Sequence, residues 1–112
     1  MRRREFARVL GFALVGQAAH PVARAVDAVV VEVRIAANRF EPAKVTVGTG
    51  ATVRWINDER RTSHSVRFPA EGIESERMMP GEQWERRFER AGRYPYECGP
   101  HPEMKGEIVV GG

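Results

Sequence analysis

Near its end the chain carries the stretch Arg93–Val110, RYPYECGPHPEMKGEIVV, in which two strand-like segments flank a short connection. Aromatic and β-branched residues recur at both ends of the stretch, and such residues favour the half-buried surface of a sheet. The connection begins with Cys98 and continues through His101 to Met104. Side chains with sulfur or nitrogen donors therefore stand at intervals of three residues between two predicted strands.

The upstream sequence alternates apolar and polar residues as half-buried strands do. The turn signal Gly48-Thr49-Gly50 separates two such segments, which we predict to form a hairpin. Short strands with turn signals roughly every ten residues indicate an all-β sandwich of antiparallel strands, about seven to eight in number. The predicted strands are Val29–Ile35, Lys44–Val47, Ala51–Asn57, Ser65–Phe68, Trp84–Phe88, Arg93–Cys98 and Gly106–Val110.

Cys98, His101 and Met104 form one set of donors with His64, which lies just before the predicted strand Ser65–Phe68. Beyond residue 25 the chain holds a single cysteine and two histidines, and all three belong to this set. A thiolate, two imidazoles and a weak axial thioether are the ligands of a mononuclear type 1 copper site. Pro100 and Pro102 restrict the backbone of the connection before metal binds. The predicted ligands of one Cu2+/Cu+ ion are His64, Cys98, His101 and Met104.

Other roles for these residues stay open at the level of sequence. A buried cysteine near a surface histidine is common without metal, and a methionine such as Met104 is often core filler. Zinc also binds cysteine and histidine, but structural zinc sites use four such residues, more than this set offers. A thiol enzyme with Cys98 as nucleophile would need a residue such as Asn57 to orient its histidine base, and no motif defines a substrate pocket.

Residues 1–25 have the features of an export signal. They begin with the basic run Arg2-Arg3-Arg4, continue with the apolar run Val9–Val15 and end at the small-residue cleavage site Ala23-Arg24-Ala25. The apolar run is too short to span a bilayer. Arg3–Arg8 resembles a twin-arginine motif, and general secretion is the alternative route. We expect cleavage near Ala25, which leaves residues 26–112 as one periplasmic domain without membrane insertion.

The formal net charge of +3 reflects this leader. Residues 1–25 hold five arginines and one glutamate, so that residues 26–112 carry a net charge of −1. Nucleic-acid binding needs a basic face that the working protein keeps. The charge balance therefore gives no support for a nucleic-acid partner.

The segments Gly50–Asn57, Ser63–Val66 and Phe88–Gly106 resemble the plastocyanin/azurin family of cupredoxins. The two-residue spacing between His101 and Met104 is similar to the short ligand loop of amicyanins. This resemblance implies a cupredoxin-like Greek-key β-sandwich that binds one copper ion and carries single electrons between redox proteins. It implies a carrier that is not an enzyme.

By position, the resemblance also implies where partners dock. The ring edge of His101 would be the electron port, with Pro100, Pro102 and Met78 around it. A periplasmic dehydrogenase-type donor and a c-type cytochrome acceptor would dock there in turn on a monomer. Ser65 stands where many relatives have asparagine, which implies a shorter brace between the two ligand segments.

Several residues depart from the amicyanin pattern and make the implied docking patch more polar. Thr62-Ser63 precedes the upstream histidine, Glu103 lies within the loop, and Arg60 and Arg61 add positive charge nearby. Methylamine dehydrogenase is therefore a doubtful donor. Two functions remain: an electron carrier, which the full ligand set favours, and a periplasmic copper-binding or delivery protein that uses the same site.

Overall fold

The structure is a computed structural model that describes residues 29–112. The expected export signal lies outside these residues. Within them no helix is long and apolar enough to cross a membrane. The strands are β1 (Val30–Ala36), β2 (Arg39–Glu41), β3 (Lys44–Gly48), β4 (Thr52–Asn57), β5 (Arg67–Phe68), β6 (Ile73–Glu74), β7 (Gln83–Arg87), β8 (Gly92–Glu97) and β9 (Lys105–Gly111).

The strands form two sheets, one in the order β2-β1-β4-β7 and the other in the order β3-β9-β8-β5-β6. This arrangement confirms the predicted all-β sandwich. Two pairings, β1 with β4 and β3 with β9, are parallel, so the sheets are mixed rather than purely antiparallel. The short strands β2 and β6 add to the seven predicted segments.

The predicted hairpin between β3 and β4 is wrong, because the two strands belong to different sheets. The turn between them makes hydrogen bonds to both sheets. The Thr49 amide donates to the carbonyl of Gly111 at the end of β9 (3.1 Å), whereas the Gly50 amide donates to Phe88 just after β7 (2.7 Å). Gly50 has a φ of 89°, which favours glycine, and the chain crosses the sandwich here.

The core lies between the sheets and is rich in aromatic rings. Trp55 of β4 is fully buried, and its ring centroid lies 5.4 Å from that of Tyr96 and 6.1 Å from that of Phe68. Both neighbouring rings come from the opposite sheet and meet Trp55 edge-on, an arrangement that aromatic pairs favour. These ring contacts join the two sheets in the core.

Strand ends place the predicted ligands. Residues 58–63 follow β4 and lead to His64, which forms an isolated bridge with Met78. Cys98 directly follows β8, and Met104 directly precedes β9. Because β8 and β9 pair antiparallel from Glu97 and Lys105 onward, the connection that carries Cys98 and Met104 is anchored at both ends.

Candidate metal centre

The thiol of Cys98 is the centre of a compact donor cluster. Its Sγ atom lies 3.5 Å from Nδ1 of His64 and 3.6 Å from Nδ1 of His101. The candidate ligand atoms of these three residues all lie within 4.8 Å of one another. Cys98 and His64 are fully buried, and His101 is partly exposed. The structure therefore brings together three of the four predicted ligands.

These separations fit a single metal ion. Three ligand atoms at about 2.1 Å from one metal, in a plane around it, are about 3.6 Å from each other. The measured distances from the sulfur to the two Nδ1 atoms are close to that value. One thiolate and two imidazoles are also the planar donor set of a type 1 copper site. Geometry and chemistry thus agree.

Met104 lies in the same loop as two of these donors and is buried, with 4% of its surface exposed. Its amide donates to the carbonyl of His101 (2.9 Å), and its own carbonyl accepts from the amide of Cys98 (3.0 Å). The loop therefore folds back on itself and holds its two ends together. The weak axial ligand of a type 1 site is a thioether, which is the role that the sequence predicts for Met104.

His64 lies on the connection between β4 and β5, which joins the two sheets. Its amide donates to the carbonyl of Met78 (3.1 Å), and its carbonyl accepts from the amide of Met78 (2.7 Å). Burial lowers the pKa of the imidazole, and His101 nearby lowers it further, against the raising influence of the Glu59 carboxylate. The ring is therefore kept neutral, the form in which histidine binds metal.

A carboxylate lies behind the His64 ring. Oε2 of Glu59 is 3.5 Å from Nε2 of His64, and the Glu59 side chain is only 17% exposed. Metal-binding histidines commonly have an acceptor on the ring nitrogen that faces away from the metal, and the Glu59 carboxylate lies near this nitrogen without forming a hydrogen bond to it. Sequence analysis missed Glu59, because one acid in a polar loop looks like any solvated charge.

Asn57 organises the loop that leads to His64. Its Nδ2 atom donates to the carbonyls of Thr62 and Met78, both at 2.9 Å, and its Oδ1 accepts from the amide of Glu59 at 3.0 Å. The side chain is fully buried. All these contacts are to backbone, so Asn57 does not take the role of orienting a histidine base that the thiol-enzyme alternative would assign to it.

The environment of Cys98 keeps its thiol protonated in the absence of metal. Burial raises the pKa of the thiol, and this outweighs the lowering influence of the Ser65 and His101 backbone amides and of Arg77. A metal must therefore displace a proton when it binds, as is usual for thiolate ligands.

Ser65 connects the two ligand segments. Its Oγ atom accepts a hydrogen bond from the amide of Gly99 at 3.0 Å, and it donates to Oε2 of Glu74 at 2.8 Å. The brace implied by the resemblance is therefore made with a serine, and a carboxylate from β6 is added to it. No sequence signal pointed to Glu74, because the strand that carries it is only two residues long.

The surface around His101 is built from the ligand loop. Pro100, Pro102 and Glu103 are exposed beside the partly exposed ring. The expectation that Met78 lies at this rim is wrong, because its side chain is 3% exposed and packs in the core. Its neighbour Met79 is 53% exposed instead. The bridge between His64 and Met78 explains the difference, since it turns the side chain of Met78 inward with the strand pleat.

Fold and site together define a class of protein, a small β-sandwich with the ligand set of a type 1 copper site at one end. A family model described as a cupredoxin-like domain matches residues 6–110. The chain belongs to the cupredoxin-like family, as the sequence resemblance predicted, and its relatives include amicyanins and plastocyanins.

Three comparisons describe the relationship. The chain is 38% identical over 97 residues to amicyanin from Paracoccus versutus, and the alignment covers 80% of this chain and 72% of that protein. It is 36% identical over 83 residues to plastocyanin from Scenedesmus fuscus, which covers 63% of this chain and 85% of that protein. Among solved structures, the Cu(I) form of an amicyanin variant matches with a TM-score of 0.71 at 33% identity, covering 73% and 82% of the two chains.

Proposed function

We propose that this protein is a periplasmic carrier of single electrons, with its copper ion held by His64, Cys98, His101 and Met104. The observation that carries the proposal is the arrangement of three donor atoms at separations that suit one metal ion. When bound, copper alternates between Cu2+ and Cu+ and so supplies one-electron chemistry. The protein holds this ion in place and exposes one of its ligands to redox partners.

The contribution of the protein is a site that resists change. Fast electron transfer requires that the ligands move little between the two oxidation states. The His64 segment is held by Asn57 and by paired hydrogen bonds to Met78, and the ligand loop is closed by hydrogen bonds between Cys98, His101 and Met104. Buried packing around Cys98 excludes water from the sulfur. These contacts support a carrier rather than a delivery protein, which gains nothing from such rigidity.

Partners would dock over the partly exposed ring of His101. We propose a periplasmic dehydrogenase-type donor and a c-type cytochrome acceptor, each binding in turn to the monomer. Pro100 and Pro102 offer a small apolar contact, and a small contact area suits redox partners that must separate quickly. The export signal in residues 1–25, with cleavage near Ala25, would deliver the domain to these partners.

The decisive experiment is an optical and paramagnetic-resonance spectrum of residues 26–112 loaded with copper. We expect an intense blue absorption from the charge transfer between Cys98 sulfur and Cu2+, together with a reversible one-electron couple. Cys98→Ser should abolish the colour. A variant that stays blue would remove Cys98 from the site, and rapid loss of copper to a chelator from the native protein would favour delivery instead.

Met104 is tested separately. Met104→Ala should retain copper, because the axial thioether is a weak ligand, but it should change the potential and the spectrum. Met78→Leu is the matched control, since Met78 is equally buried in the core but contacts the site through its backbone. An unchanged spectrum in Met104→Ala would show that another group is axial.

A further inference from the structure

We propose that Glu74 is a positioning residue for the metal centre, acting through the hydroxyl of Ser65 on the Gly99 amide beside Cys98. The inference rests on the proposed copper site for its functional meaning, although its structural part concerns the protein alone. Glu74 lies on β6, at the edge of its sheet, and has no contact with the predicted ligands among the hydrogen bonds of the described residues. The hydrogen bonds that join it to the loop of Cys98 run through Ser65.

The donors and acceptors leave one way to arrange this contact. An ionised carboxylate only accepts hydrogen bonds, and a backbone amide only donates them. The hydroxyl of Ser65 must therefore point its proton at Oε2 of Glu74 (2.8 Å) and a lone pair at the amide of Gly99 (3.0 Å). The carboxylate thus fixes the rotation of the hydroxyl and strengthens it as an acceptor, because linked hydrogen bonds polarise one another.

Gly99 is the residue that makes room for this arrangement. A Cβ atom at position 99 would overlap Oε2 of Glu74 and Oγ of Ser65. The glycine is therefore required by close packing of the two polar groups, and it directly follows Cys98 in the chain. Because Gly99 has no side chain, its amide can approach the hydroxyl of Ser65. This hydrogen bond joins the residue after Cys98 to the residue after His64.

A second contact keeps β6 in place. The amide of Val66 donates to Oγ of Ser75 (2.9 Å), and the amide of Ser75 donates to the carbonyl of Val66 (2.8 Å). The residue after Glu74 is thus joined to the residue after Ser65. These two hydrogen bonds fix the backbone next to Glu74 and so hold its carboxylate beside Ser65.

The first test uses the metal-free protein and measures hydrogen exchange of the Gly99 amide by NMR. Glu74→Ala should accelerate this exchange by about tenfold, because the Ser65 hydroxyl is freed to rotate away and loses the carboxylate that makes it a stronger acceptor for the amide. Glu74→Gln keeps an oxygen that can accept from Ser65 and should restore most of the protection. Glu76→Ala is the matched control, since it removes one exposed carboxylate from the same segment.

The dependence on Ser65 is tested by a double-mutant cycle. In a Ser65→Ala background the Gly99 amide is already without its acceptor, so Glu74→Ala should have little further effect on its exchange. Unchanged exchange in Glu74→Ala, equal acceleration in Glu76→Ala, or an undiminished effect without Ser65 would each overturn the proposal.

Copper-loaded protein supplies the functional readout. The paramagnetic-resonance spectrum should change in Glu74→Ala and return towards that of the native protein in Glu74→Gln. Spectra that do not follow this order would remove Glu74 from the metal centre. If the native protein binds no copper, the proposed function fails, whereas exchange of the Gly99 amide in the metal-free variants still decides whether Glu74 holds the loop.

Discussion

Replacement of Asn57 tests most directly how the fold supports the site. The Asn57 side chain is fully buried and makes three hydrogen bonds to backbone groups. Asn57→Ala removes all three. It takes one hydrogen bond from each of the carbonyls of Thr62 and Met78 and from the amide of Glu59, at the point where the chain leaves β4 for His64, and the Met78 carbonyl keeps only its bond from the His64 amide.

The expected loss follows from these contacts. One buried hydrogen bond contributes about 1 kcal/mol, so three correspond to about 3 kcal/mol in the free energy of unfolding. In a domain of this size, a loss of that magnitude lowers the melting temperature by about 12–24 °C. Asn57→Asp should cost more, because a buried carboxylate would face two carbonyl oxygens to which it cannot donate.

The assay is urea unfolding of the metal-free protein, with Asp58→Asn as the control. Asp58 is the next residue, and its carboxylate pairs with Arg34 at 2.9 Å, but both side chains are about half exposed. Such a pair contributes less than about 1 kcal/mol. A loss below 1 kcal/mol in Asn57→Ala, or one no larger than in Asp58→Asn, would refute the assignment of Asn57 as the brace of the His64 loop.

Two further predictions concern stability away from the metal. Gly106→Ala should destabilise the metal-free protein by about 1–3 kcal/mol in urea unfolding, because the new methyl group would overlap the buried ring of Tyr96. Gly48→Ala is the control and should have little effect, because the space around Gly48 is open. Equal losses in the two variants would contradict this prediction. Arg86 donates to both carboxylate oxygens of Glu71 and holds the pKa of that group below its usual range. Its stabilisation is present above the unfolded pKa and is lost as pH falls through the lower folded pKa, so the stability gap between the native protein and Glu71→Gln should narrow in acid. Since Glu71 is 34% exposed, solvent screening limits the gap to about 1 kcal/mol near pH 7, and a gap independent of pH would contradict the ion pair.

The all-β class could be predicted because alternation of apolar residues is a local property. Val33 and Ile35 in β1, and Val53 and Trp55 in β4, are buried as their positions in the alternation require. Strand pairing is not local. The turn at Gly48-Thr49-Gly50 looks like the turn of a hairpin, yet its amides bind strands from both sheets, and only the packing of the whole chain decides that.

The candidate site divides in the same way. The donors at 98, 101 and 104 share one loop, so their spacing alone shows that they can meet. The need for a second imidazole pointed to His64, which lies 34 residues before Cys98 in the chain and 3.5 Å from it in space. That His64, Cys98, His101 and Met104 together bind one copper ion stays a prediction until metal is added.

Three features of the site could be predicted from the amino-acid sequence alone: which donor types are present, that the last three share one short loop, and that strands flank this loop. Side-chain identity and local periodicity are enough for these conclusions. The groups that surround the donors became visible only in the folded chain. Ser65 contacts Gly99, which lies 34 residues further along the chain, and Glu74 reaches Ser65 from a separate strand, so these contacts depend on how the chain packs rather than on any pattern within one segment.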